Sequence, residues 1–379
     1  MISIARSGHP EPCTACQELA TALPGADMDL LLFFCSSRYD RDALSGALAR
    51  NFPGVQAIGC TTAGEIAPTG YGSSGIVAIG FSGGAVQVES GLLSHLQAFD
   101  FTQCRALTQH LLQALEARAP QLDRDNTFAL MLIDGMSQRE EAVTRAAQMA
   151  LGCITLFGGS AGDDQRFENT WVFHGGSFHP DAAVIAVINT PLPFKIFKTQ
   201  HFVGGEEKLV VTEADAARRT VREINGLPAA TEYARIVGVA VDGLDPTTFA
   251  AHPVVVRING VDFVRSIQTA NPDGSLTFYC AIDEGIVLTV AKSINPVENL
   301  RATLEDLREE IGPPQLVLVC DCILRNLEFR QSGLEGPVGE IFREFNVGGF
   351  CTYGEQFCGV HVNQTLIGIA IGQAKGAHA

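Results

Sequence analysis

The sequence has little positive charge and few charges of either sign. Lys and Arg number 26 against 42 Asp and Glu, a formal net charge of −16, and only 18% of the 379 residues are charged. A soluble domain ordinarily carries about a quarter. The acid excess argues against nucleic acid and anionic membrane as direct partners, since both would repel it. Long apolar runs are also missing. Ala182 to Ile188 is among the longest and falls far short of the roughly 18 residues of a membrane helix. No basic head followed by an apolar run opens the chain, so a cytoplasmic, reducing location is expected. The glycine-rich stretch Phe157 to Asp164 lacks the Lys and Ser/Thr of a phosphate loop. Two acids follow its glycines and would repel phosphate, so it reads as a tight turn.

What the chain does have is apolar substance: 46% hydrophobic residues and 22 Phe. A chain of this length makes two or three domains and buries a core that needs no disulfides. Its eleven cysteines are an odd number, and Cys35, Cys60, Cys153, Cys280 and Cys320 fall in apolar strands, where a thiol is a small core hydrophobe. Helical spacing is visible in Thr102 to Arg118, with Leu107, Leu111, Leu112 and Leu115 on one face, and in Pro296 to Ile311. Pro228 is expected to open a helix through Val237. Ser82-Gly83-Gly84 reads as a hairpin turn between two strands.

These elements make an α/β (α+β) chain of two related mixed-sheet domains with flanking helices. The relation is an internal duplication. Asp134, Gly158-Gly159, Asp163 and Asn169 recur as Asp321, Gly348-Gly349, Glu355 and Asn363, at a spacing of roughly 190 residues. The expected division is an N-terminal extension, 1–25, and two domains, 26–220 and 221–379, with a ligand cleft between them.

Several residues are candidates for chemistry. Cys13 and Cys16 form a CxxC, which serves zinc, an iron–sulfur cluster or a redox dithiol; Cys320, Cys322, Cys351 and Cys358 gather near the other end. Asp163 and Asp164 are weak candidates for a divalent cation. Cys60 ends a strand beside a turn, a position a nucleophile takes, but no base is assigned to it. A haem would need one axial His, an apolar box and cations for its propionates. His201, between the two halves, is one of nine His that position alone does not separate.

The motifs become distinctive where they are ordered along the chain. Ile58 to Glu65, Gly158 to Asp163, Ile224 to Ala230, Cys320 to Arg325, Gly348 to Glu355 and His361 to Thr365 together resemble the FIST N and FIST C domains over roughly residues 25–373. The resemblance implies a non-enzymatic bacterial signal-input protein that binds a small ligand. A subset of that family, the NosP haemoproteins, senses nitric oxide and regulates histidine kinases or cyclic-di-GMP enzymes. Similarity to that subset around Thr199-Gln200-His201-Phe202 implies haem b with His201 as axial ligand and Arg218, Arg219 and Arg222 toward the propionates. The alternative it implies is an amino acid or related metabolite without haem, with Arg325, Tyr353, Glu355, His361 and Asn363 as cleft candidates. A homo-oligomer is compatible with either.

Overall fold

Apolar runs without alternation, such as Leu30 to Cys35, belong to strands covered on both faces. The computed structural model, which describes residues 1–23, 27–119, 121–258 and 260–373, explains why such runs recur. Residues Leu30, Leu32 and Phe34 point into one shared core with Phe128, Leu130 and Leu132 and with Leu316, Leu318 and Cys320. The intervening Leu31, Phe33 and Cys35 point the other way, beneath helices. Three mixed sheets therefore meet face to face at the centre, and each carries its helices outside.

The three sheets come from three copies of one unit: strand, helix, strand, helix, strand, hairpin, strand. The first spans residues 2–82, the second 87–189, and the third 194–199 with 296–371. In each, the four strands lie in the order first, last, second, third, and only the second and third are parallel. The duplication legible in the sequence is thus two legs of a triplication. Residues 2–22, expected to precede the first domain, supply that unit's first strand, Ile2–Ser7, and first helix, Pro12–Ala22. The boundary expected at 25 and 26 lies outside the described residues. Ser82-Gly83-Gly84 closes no hairpin: the strands it joins, Ile76–Ser82 and Gln87–Ser94, belong to different sheets.

The hairpins interlock the units. Glu65–Ala67 with Gly70–Gly72 extends the third unit's sheet through Gly349↔Ile66. Val172–His174 with Ser177–His179 extends the first. Glu355–Phe357 with Val360–Val362 extends the second. Each unit hands its hairpin on in the same cyclic sense, so no unit closes its own sheet.

The internal correspondence is fixed by geometry. Ser36, Asp134 and Cys322 each donate a backbone N–H across to the carbonyl of Gly75, Ala182 and Thr365. A Cβ on Gly59, Gly158 or Gly349 would meet the carbonyl oxygen of Phe33, Met131 or Val319 at 2.4, 2.0 and 1.9 Å. Asp134 therefore corresponds to Cys322, not to Asp321, and Gly158 to Gly349. Counting six residues on from those glycines, the acids that follow the third strands are Glu65, Asp164 and Glu355, so Asp163 is not the partner of Glu355. Because a methyl has nowhere to go at these positions, Gly158→Ala is expected to destabilise by about 3 kcal/mol, seen as a lower urea midpoint. A midpoint unchanged from wild type would refute this close approach.

Residues 200–293 interrupt the third unit. They form a separate antiparallel sheet whose long strand Phe202–Asp215 pairs with Val287–Ser293 on one side and Thr220–Ile224 on the other. Helix Ala229–Val237 packs on it through Tyr233. Pro228, the expected first residue, is its N-cap, so the helix starts one residue later, and Gly238 ends it in a left-handed conformation. No described helix is long and apolar enough to cross a membrane.

Candidate functional site

Where the second unit, the third unit and the insert meet, they leave a cleft of about 200 Å³. The loops that follow the second unit's strands supply Gly135, Met136, Glu140 and Phe167. The insert supplies Arg218, Arg219, Gln268 and Tyr279, and the third unit supplies Tyr353.

Asp163 builds one wall of this cleft. Its buried carboxylate accepts the backbone N–H of Phe167, Glu168 and Asn169 at 2.8, 2.7 and 2.9 Å, which folds the loop back on itself. It also accepts the hydroxyl of Tyr353. Phe167, held at φ 57°, then stacks on Tyr353 with centroids 4.3 Å apart and planes 13° from parallel. Phe167 stays 40% exposed, which leaves an aromatic face toward a ligand.

The opposite wall is charged. Arg219 donates to Glu140 at 2.9 Å, to Glu141 at 2.8 Å and to the Tyr279 carbonyl at 2.5 Å. These bonds tie the insert to the second unit's helix Glu140–Leu151. Arg218 is far less engaged: its side chain is 81% exposed and Asp215 lies 3.8 Å away. A guanidinium so placed can take a carboxylate in the fork geometry that suits it.

The other sequence candidates lie elsewhere. Arg222 points out of the cleft and pairs with Glu213 at 3.0 Å on the surface. Arg325 is wholly buried and away from the cleft, where its Nε donates to Asp321 at 2.8 Å. Glu355 is sealed between Thr352 and Thr365, and its carboxylate accepts from both hydroxyls. His361 and Asn363 sit beneath the cleft, 1% exposed. Gln356 lies 3.2 Å from His361 Nδ1, and burial pushes that His below its ordinary pKa. Of the five cleft candidates, Tyr353 alone lines it. Phe167, Tyr279 and Glu140 escaped the sequence reading because they lie in loops or at a helix start, with no periodicity to mark them.

His201 does not fit the axial-ligand role implied by resemblance. It is 0% exposed and lines none of the described clefts. Arg325 Nη1 lies 2.8 Å from its Nδ1. Arginine only donates, so Nδ1 accepts and the ring proton resides on Nε2, facing Glu328 at 2.8 Å. Both ring nitrogens are occupied and no lone pair is free for iron. Burial lowers the pKa of the ring, consistent with a neutral imidazole. Arg218 and Arg219 face the cleft and Arg222 the solvent, so the cations expected for propionates do not surround His201. A haem does not fit this arrangement.

The metal and nucleophile candidates fare similarly. Among the described residues no three His, Cys, Asp or Glu side chains gather as a metal would require. Cys13 pairs with Arg50, and burial pushes the Cys16 thiol up to about 12. Asp164 is engaged by Ser36 and Ser37. Cys60 is sealed in the core, where burial raises its thiol well above the ordinary range. A second cleft, of about 330 Å³, lies beside helix Arg41–Asn51, but its Gln56, Ser90 and His174 satisfy one another.

Three interlocked units carry a clamped-on insert, with a small cleft at their junction. The chain belongs to the FIST family: the FIST N domain matches residues 29–227 and the FIST C domain residues 229–358. FIST domains are sensor modules of signal transduction. The border between the two matches falls inside the insert, so the third unit draws its first strand from one and residues 296–358 from the other. An uncharacterised protein of Methanocaldococcus jannaschii, MJ1623, is 21% identical over 328 residues, 79% of this chain. The chain spans 62% of that relative's length. A crystal structure of a cyanuric acid hydrolase from A. caulinodans aligns over 98% of this chain and 99% of its own, with 12% identity and a TM-score of 0.35.

Proposed function

We propose that this protein is the input module of a signalling pathway and that it binds a small polar metabolite of the amino-acid class, without haem. The observation that carries this reading is the cleft itself, with one aromatic wall, one charged wall and a lightly held arginine on the rim. Its volume lies below the roughly 300–1,000 Å³ of sites for drug-sized ligands, which favours a metabolite of a few heavy atoms. Arg218 would take the ligand's carboxylate, and the Phe167–Tyr353 pair would cover its apolar part. Because Arg219 ties the insert to the second unit at the same place, occupancy would bias how the insert sits. A histidine kinase or a cyclic-di-GMP enzyme would read that bias. The acid lining the cleft, Glu140, is already engaged by Arg219, which favours binding over turnover.

A thermal-shift screen of amino acids and related metabolites tests this. A ligand at one hundred times its Kd adds about 2.7 kcal/mol to stability and raises Tm. Phe167→Ala and Arg218→Ala are each expected to weaken that ligand at least about tenfold, the loss of one good contact, whereas Arg222→Ala leaves binding unchanged. No shift from any member of the panel would reject the proposal. So would a saturable Soret band in haem-supplemented protein that moves with nitric oxide, because that result requires the haem reading.

A further inference from the structure

We propose that Cys13 and Cys16 form a redox-active dithiol that exchanges with low-molecular-weight disulfides. The two thiols stand three residues apart across the first two turns of helix Pro12–Ala22. Helical geometry places such Cα atoms about 5 Å apart, within the span a disulfide bridges. Their surroundings divide the work between them. Cys13 is half-buried and Cys16 is 0% exposed. Arg50, from the last turn of the neighbouring helix Arg41–Asn51, places a guanidinium nitrogen 2.8 Å from Cys13 Sγ. The other charged group at this turn is Glu11. Its carboxylate is engaged as the helix cap by the N–H groups of Cys13 and Thr14 at 2.9 and 2.6 Å, which leaves Arg50 as the cation on the sulfur. An accessible sulfur beside a cation, with a second thiol sealed behind it, is the arrangement of an attacking and a resolving cysteine.

The exchange balances as follows. Cys13 Sγ attacks one sulfur of glutathione disulfide, and the S–S bond breaks. One glutathione leaves as a thiolate and takes up a proton. Cys16 then attacks Cys13 Sγ and expels the second glutathione, which takes up the Cys16 proton as it leaves. Two electrons pass from the dithiol to the small disulfide, and an intramolecular bond remains. Oxidation withdraws the Cys13 sulfur from Arg50 and so changes the contact between the two helices that cover the first unit.

The test uses the full chain equilibrated in glutathione redox buffers, followed by alkylation and peptide mass mapping. The expected result is a Cys13–Cys16 disulfide that reverses as the buffer becomes more reducing. Cys16→Ala should instead accumulate glutathione on Cys13. Arg50→Met should slow alkylation of Cys13 about tenfold, through loss of the guanidinium that sits 2.8 Å from its sulfur. Cys153 and Cys358 are exposed and serve as internal references. The proposal is overturned if wild-type protein forms no Cys13–Cys16 bond in the most oxidising buffer, or if Cys13 is alkylated no faster than Cys153.

Discussion

Arg325→Ala is expected to lower folding stability by about 3–5 kcal/mol, measured as a fall in the urea midpoint at constant m. The side chain is completely buried and lies between two groups that depend on it. Its Nε holds Asp321, which is also 0% exposed, and its Nη1 holds His201. Tyr71, from the first unit's hairpin, donates to the other oxygen of Asp321 at 2.5 Å. Removing the guanidinium leaves a buried carboxylate with one neutral partner and a buried imidazole with an open acceptor. The loss reaches beyond one unit, since Tyr71 comes from the first, Asp321 from the third, and His201 from the start of the insert. Pairing Arg325→Met with Asp321→Leu removes both charges together and is expected to recover most of the loss, which the single change cannot. A single-variant loss below about 1 kcal/mol would mean that this network does not hold the insert to the core. The same geometry explains why His201→Ala is a poor test of haem binding on its own: it also strips Arg325 of a partner.

Much of the local structure was legible. Apolar spacing placed a helix at Thr102 to Arg118, and the observed helix is Phe101–Glu116, with Asp100 accepting from Thr102 at its start. Pro296 opened the other strong helix, Pro296–Ile311, as expected, and Asn295 caps it. The pairings were not legible. A strand's apolar run records that both faces are covered but not which strand lies beside it. Here the decisive pairs join residues far apart in sequence, such as Ile66 with Gly349 and Gln356 with Gly158. The first unit stayed hidden as a copy because Gly59-Cys60-Thr61-Thr62 carries only one of the paired glycines, and because its first strand, Ile2–Ser7, reads as an extension ahead of the first domain. Tyr353 and Asp163 stood out as motif residues. That they meet, and so fix Phe167 over the cleft, depends on a loop with several left-handed residues that no periodicity encodes.

Stability is expected to fall by about 2 kcal/mol or more as pH rises from about 6.5 to about 8, because two buried carboxyls must then ionise. Glu355 is 0% exposed and Glu65 is 1% exposed. Burial pushes them up to about 8 and about 7, although Thr352 and Thr365 on Glu355, and Gly75 and Thr62 on Glu65, pull the other way. Both start from an ordinary value of 4.5, so between that pH and their folded values the native state holds more protons than the unfolded chain. Their contribution is therefore whole below about 4.5 and lost as pH passes about 7 and then about 8. His201 and His361, lowered by burial, act with the opposite sign, but their effect ends once pH exceeds the ordinary 6.5. Lys198, lowered to about 8, opposes the fall only above that value. In the interval between, these opposing groups are silent; Asp321, also raised by burial, shares the direction of the two glutamates. Urea midpoints at both ends of the interval should separate, and Glu355→Gln, which keeps the side chain neutral, should remove the larger part of the difference. A wild-type midpoint that holds steady or rises across the interval would contradict protonated carboxyls at these positions. The consequence is structural as well as energetic. Glu355 opens the hairpin that the third unit lends to the second, and it lies two residues from Tyr353, so the hydroxyl bonds it accepts from Thr352 and Thr365 hold the strand end that forms the wall of the cleft.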